Sequence, residues 1–302
     1  MGVFYAFGAL VCWGFGDFLI QRSARKFGDL IALLFIDLVA TIGLLPFVWN
    51  KLPGLWMDPG MMAFLLVPSV AITLAALLDF EALRVGKISV VEPIYALEVP
   101  ITTLLAIFVA HEFLVVSQAA FMGMLMIGIF LVATRSFHHF RNIRLERGVF
   151  FALLATIGIG ITNFLFGIGA RETDPIMINW FTSTFTALVC AALLVFQKRL
   201  HEVVRDWRSH KRLILTVGIL DNSAWLAYSA ATLSIPIAIA TGISESYIAL
   251  AAALGVFFNK ERLRRHQWVG LVLAVTAAIA LGFLAGEYKR ILAEEIVKLL
   301  TT

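Results

Sequence analysis

Charge is scarce in this chain. Asp, Glu, Lys and Arg make up only 15% of its 302 residues, against roughly 25% in an ordinary soluble domain. A water-soluble fold needs polar surface, and a chain that is 61% apolar with a mean hydropathy of +0.92 has too little of it. Cysteine is scarcer still. Cys12 and Cys190 fall inside apolar segments without CxxC or metal-like spacing, which leaves them as small apolar residues and excludes a disulfide, zinc or haem framework. All six histidines (His111, His138, His139, His201, His210 and His266) lie in connections or at segment edges. With no HExxH or comparable spacing inside an apolar segment, an intramembrane metalloenzyme is disfavoured and neither metal nor cofactor is expected. No GxxxxGK[ST] pattern occurs, so ATP is not the direct energy source. The net charge of +4 comes from basic residues in short connections, which is a membrane-orientation pattern and no nucleic-acid face.

What the chain does have is long apolar runs. A bilayer core takes a helix of roughly 20 apolar residues, and ten stretches qualify: 2–20, 29–49, 60–80, 88–110, 115–134, 148–169, 174–197, 212–232, 237–258 and 267–286. None shows the two-residue alternation of barrel strands, so the expected fold is all-α transmembrane, since helices satisfy their own backbone in lipid. The first stretch has no basic flank or small-residue cleavage site and carries Asp17, so it reads as a span rather than a signal peptide. Of the 24 Lys and Arg residues, nineteen fall in connections on one side and five on the other. The positive-inside rule puts the nineteen in the cytoplasm of a cell with an inner (plasma) membrane and both termini outside.

The sequence also resembles itself at a shift of about 146–149 residues. Trp13-Gly14-Phe15-Gly16-Asp17-Phe18 aligns with Ile159-Gly160-Ile161-Thr162-Asn163-Phe164, and Ala24-Arg25 with Ala170-Arg171. His111-Glu112-Phe113-Leu114 and Gln118 match Lys260-Glu261-Arg262-Leu263 and Gln267. Five spans per copy is an odd number, so the second copy enters the membrane upside down. The expected organisation is a first repeat over 1–134, a basic linker over 135–147, a second repeat over 148–286 and an amphipathic tail over 287–302. Inverted repeats of this kind suit a secondary transporter whose site lies between the halves.

On these residues the chain resembles the EamA-type transporters of the drug/metabolite transporter superfamily. Trp13-Gly14 resembles the opening of that family's repeat, and Glu112-Phe113-Leu114 and Glu261-Arg262-Leu263 resemble its turns, each followed by a Gly-rich span. The second copy keeps Gly270 nine residues after Glu261. The first copy departs from the pattern, with Phe121 there and Gly123 nearby, and the second has Ile159-Gly160 in place of Trp-Gly. The resemblance implies a ten-helix metabolite exporter or exchanger with a cavity lined mainly by spans 1, 3, 4, 6, 8 and 9, and names no substrate.

Charged side chains at mid-bilayer are costly, by roughly 2.5–3.5 kcal/mol each. Yet Asp17, Asp37, Asp79, Glu92, Glu98, Asp221 and Glu245 lie within the expected spans, with no Lys or Arg deep enough to pair. Such a carboxyl can carry a proton as access alternates, or hold a cationic group of a substrate. Glu98 and Glu245 are deepest and repeat-related. Pro100 strips a donor from the Ala96 carbonyl beside Glu98, Tyr95 is in helical reach of Glu92 and Glu98, and Thr241 shares the Glu245 face. Asp221, Trp225 and Tyr228 form a stripe at helical spacing with Asn222 beside it, and Asn163 is the repeat partner of Asp17. Against this, Asp17 and Asp79 can snorkel from span ends, Asp37 reads as an interhelical hydrogen bond, and Glu112 and Glu261 read as carboxylates favouring the starts of the helices that follow them. The functional expectation is a transporter of small metabolites such as amino acids or amines, by alternating access and with protons as a candidate coupling ion. A channel or ligand sensor is the alternative. The expected partners are that solute, membrane lipid and protons, and the Gly-rich fifth and tenth spans leave monomer and homodimer both open.

Overall fold

A computed structural model of the chain describes residues 1–85, 94–134, 147–259 and 263–301; the side chains of Asp17, Phe18, Gln21, Leu83 and residues 257–259 and 286–301 lie outside that description. Every regular element among the described residues is helical. The chain runs through α1 (Gly2–Phe27), α2 (Asp29–Val48), the short α3 (Leu52–Met57), α4 (Pro59–Val85), α5 (Glu98–Phe108), α6 (Val116–Ala133), α7 (Arg147–Glu172), α8 (Pro175–Phe196), α9 (Leu200–Thr232), α10 (Ile237–Glu245), α11 (Tyr247–Asn259) and α12 (Arg265–Thr301). Among the described residues, eight helical segments are long and apolar enough to cross a bilayer, α10 and α11 counting as one, and the shorter apolar pieces Gly2–Gly16 and Glu98–Phe108 fall where spans one and four are expected.

The fourth, eighth and ninth spans differ from the sequence expectation. The ninth span is broken at Ser246 into α10 and α11, and in the fourth a turn at Ala96 and Leu97 precedes α5. α9 starts before the expected eighth span and is kinked at His210, where an amphipathic piece meets the apolar one. α12 runs on as helix from the last span through the residues expected as the tail, to Thr301.

The apolar surface points outward. Phe4, Phe47, Phe108, Leu188, Phe196 and Phe283 are all exposed, while Thr73, Thr102, Thr156, Asn163, Thr186 and Ser229 are buried. In lipid this inversion is the stable arrangement, because apolar association between helices gains little and polar contacts supply the specificity. Thr73 and Thr186 share a hydrogen bond of 2.7 Å, Thr102 donates to the Gly160 carbonyl at 2.8 Å, and Asn179 donates to Ser229 at 2.9 Å.

The main packing partners obey an inverted two-fold. α1 packs on α9 as α7 packs on α4; α2 packs on α8, and α6 on α12. Each of these interfaces runs between the two halves. Repeat-related glutamines mark the symmetry most directly. Gln118 accepts from the Val115 amide at the start of α6 and donates to the Leu284 carbonyl of α12. Gln267 does the converse, accepting from the Arg264 amide and donating to the Val132 carbonyl of α6. Between these ends the two helices cross at Gly128 and Gly270, where a Cβ on Gly270 would stand 2.7 Å from the Gly128 carbonyl oxygen. The glycine that serves this crossing in the first copy is Gly128; Gly123 faces open space. The fifth and tenth expected spans therefore pack on each other within one chain.

Candidate functional site

Both helix breaks carry a glutamate. Glu98 is the first residue of α5 and Glu245 the last of α10. At the first break the Leu97 amide donates to the Ile94 carbonyl, and at the second the Ser246 amide donates to that of Ile243, so the chain closes short turns instead of running on as helix. Interrupted helices at membrane depth are stable only where other protein groups or a cavity receive the freed backbone. Here they flank a cavity of about 1040 Å³, counting its open mouth, between the two halves.

The cavity wall draws on α1, α2, α4, α5, α7, α8, α9, α10 and α11. Asp37, Asp79, Glu98, Asp221 and Glu245 line it, and the described lining residues include no Lys, Arg or His. Ile20, Leu33, Ala76, Asp79 and Phe80 carry the wall toward the basic-loop ends of their helices. Of the expected site residues, Tyr95, Asn163, Asn222 and Trp225 line it as well. Tyr228 and Thr241 stand behind the wall. The Tyr228 hydroxyl, fully buried, donates to the Asn163 carbonyl at 2.8 Å and shares a 2.8 Å hydrogen bond with Thr241. That fixes Asn163, whose side-chain amide donates to Glu245 Oε1 at 3.2 Å. The Tyr95 hydroxyl reaches the Asp79 carbonyl at 3.5 Å. The Asp17 side chain and Glu92 lie outside the described residues.

An aromatic group fills one wall. Trp225 packs edge-on to Trp13 at 5.2 Å between ring centroids and against Phe166 at 4.6 Å, and Trp13 meets Tyr247 at 6.2 Å. The closeness of α1 here depends on Gly14, where a Cβ would come within 2.7 Å of Leu250.

Sequence reasoning missed one side of the site. Asp37 makes the expected interhelical hydrogen bond, to Ser183 of α8, and is a wall residue as well: it is 8% exposed, Asp221 is nearby, and its Oδ2 has no hydrogen-bond partner. Asn179, Thr182, Ser183 and Thr186 of α8 also line the cavity. Their spacing was the signal, since these four residues make one polar stripe along a helix that is otherwise apolar but for Thr184.

On the side away from the basic loops, two ion pairs tie the halves together. Glu112, from the turn before α6, accepts from Arg171 Nη2 at 2.7 Å and from the Ile237 and Ala238 amides at 2.8 and 3.3 Å. It thus serves the N-terminus of α10 in the opposite half, not that of the helix that follows it. Arg171 also donates to the carbonyls of Thr232 and Ile235. Beside it Lys51 contacts Asp174 at 2.6 Å, while Asp174 caps α8 through the Ile176 and Met177 amides. Burial pushes the Asp174 carboxyl up, but Lys51 and the two amides outweigh it and hold the group below the usual aspartate range. On the basic-loop side the cross-half contact from Arg147 to Glu81 is looser, at 3.5 Å with the Arg147 side chain 75% exposed.

A multi-pass membrane protein, helical in every regular element among its described residues and with halves that pack about an inverted two-fold, is the class that these features define. Within it, the chain belongs to the EamA-like transporter family, whose sequence model matches residues 1–134 and 146–283. An uncharacterized protein of Haemophilus influenzae is 26% identical over 235 residues, covering 73% of each chain. A protein crystal structure shares the fold at a TM-score of 0.72 and 13% identity, covering 95% of this chain and 98% of its own. The family is one of membrane transporters, not enzymes.

Proposed function

We propose that the protein is a ten-span secondary transporter that exports or exchanges small metabolites carrying amino groups, such as amino acids or amines, by alternating access across the inner membrane. The basic loops lie in the cytoplasm and both termini outside, in keeping with the nineteen-to-five division of Lys and Arg. The observation that carries this reading is the cavity between the halves, with Asp37, Asp79, Glu98, Asp221 and Glu245 all in its wall. A carboxylate-lined site between inverted repeats binds a cationic group, and exchange of that group for protons supplies coupling. The ties at Glu112–Arg171 and Lys51–Asp174 hold one face shut while the wall extends toward the other, which is the arrangement of an inward-facing state.

Counterflow in proteoliposomes tests it. Vesicles loaded with an unlabelled amine or amino acid are expected to show saturable, trans-stimulated uptake of the labelled solute. Flux that never saturates would make the protein a channel, and binding without flux would make it a sensor.

A further inference from the structure

We infer that the cavity is built for a solute with two separated N–H donor groups, a short diamine or basic amino acid, held at both ends. This deepens the transporter reading and rests on it.

Two hydrogen-bond acceptors in the wall lack a partner. Asp37 Oδ2 is one and Asn163 Oδ1 the other; Asp37 is 8% exposed and Asn163 fully buried. A buried acceptor with nothing donating to it is costly, so it points to a donor that arrives with the ligand. Each acceptor has a further acid close by. Asp37 faces Asp221, and Asn163 contacts Glu245 through its other amide atom.

Helix α9 sets the distance between these poles. Asn222 donates to the Ile36 carbonyl, which places the Asp37 pole at its level, and Tyr228 donates to the Asn163 carbonyl. From Asp221 to Tyr228 is two helical turns, about 10 Å along the axis. Trp225 lies between them on the same stripe, backed by Phe166 and Trp13. A linear solute spanning the poles would lay its methylene chain on that aromatic surface and present an ammonium group to each acceptor. A monoamine satisfies one pole and leaves the other acceptor buried and unmatched.

The test compares putrescine and cadaverine with butylamine by calorimetric titration of the detergent-purified full chain. The diamines are expected to bind about tenfold tighter or more, the effect of one additional charge-assisted hydrogen bond. Asp37→Ala, which removes the acceptor altogether, should bring diamine and monoamine affinities together, with the monoamine still held at the Asn163 pole. The comparison on the unaltered protein stands even if that variant fails to fold. Equal affinity for diamine and monoamine would overturn the two-pole inference while leaving an amine transporter intact. Counterflow of solutes without any amino group, with no diamine binding, would overturn the inference and the amine specificity together. Absence of all counterflow would instead count against transport itself.

Discussion

Replacing Glu112 with alanine tests how the halves are held. The Glu112 carboxylate is 5% exposed and takes three donors from the opposite half, Arg171 Nη2 and the amides of Ile237 and Ala238. Removing one partner of a buried ion pair costs about 3–5 kcal/mol. Arg171 is 32% exposed and keeps its bonds to the Thr232 and Ile235 carbonyls, so the lower end applies, about 3 kcal/mol. At roughly 2–4 °C per kcal/mol for a large domain, the melting temperature should fall by about 6–12 °C. The assay is thermal unfolding in detergent of Glu112→Ala, Arg171→Ala and the double variant. Because the two side chains share one contact, the double variant should lose much less than the sum. Single effects that add within roughly 0.5 kcal/mol would refute the coupling.

Two further outcomes follow from the packing. Gly270→Ala puts a methyl group 2.7 Å from the Gly128 carbonyl, forcing α6 and α12 apart, and should destabilise by roughly 1–3 kcal/mol, whereas Gly123→Ala, facing open space, should not; melting temperatures compare them. Asp174→Ala should cost about 1 kcal/mol as a lost helix cap, more than Lys51→Ala, whose side chain is 53% exposed. Because the folded Asp174 carboxyl is held below its ordinary range, its contribution is present above that range and is lost as pH falls through the lowered value; stability against pH should show this for the unaltered protein and not for Asp174→Ala.

Much of this architecture was legible because lipid imposes a simple rule: apolar runs of spanning length must be helices. The inverted repeat was legible from the matches of residues 13–18 with 159–164 and of residues 111–114 and Gln118 with 260–263 and Gln267. The bonds by which each glutamine caps its own helix and bridges to the other were not. Helix interruptions were harder to read. Pro100 hinted at the first, but Ser246 carries no comparable signal. The role of Glu112 was hidden because its partners, Arg171 and the start of α10, are distant in sequence, so a local reading assigned it to the nearest helix. Asp37 was half legible for a similar reason: its hydrogen bond to another helix could be expected, but its neighbours Ser183 and Asp221 come from α8 and α9, and only tertiary structure shows one of its oxygens left without a donor.

The carboxylates at the two helix breaks are the center of the account, and flux through them is the measurement that tests it most directly. Counterflow should be measured for the unaltered protein and for Glu98→Gln and Glu245→Gln across a range of pH. The account predicts that amine flux falls steeply in both variants and that the pH dependence of any residual flux is flattened. Unchanged flux with an unchanged pH profile in both would contradict it.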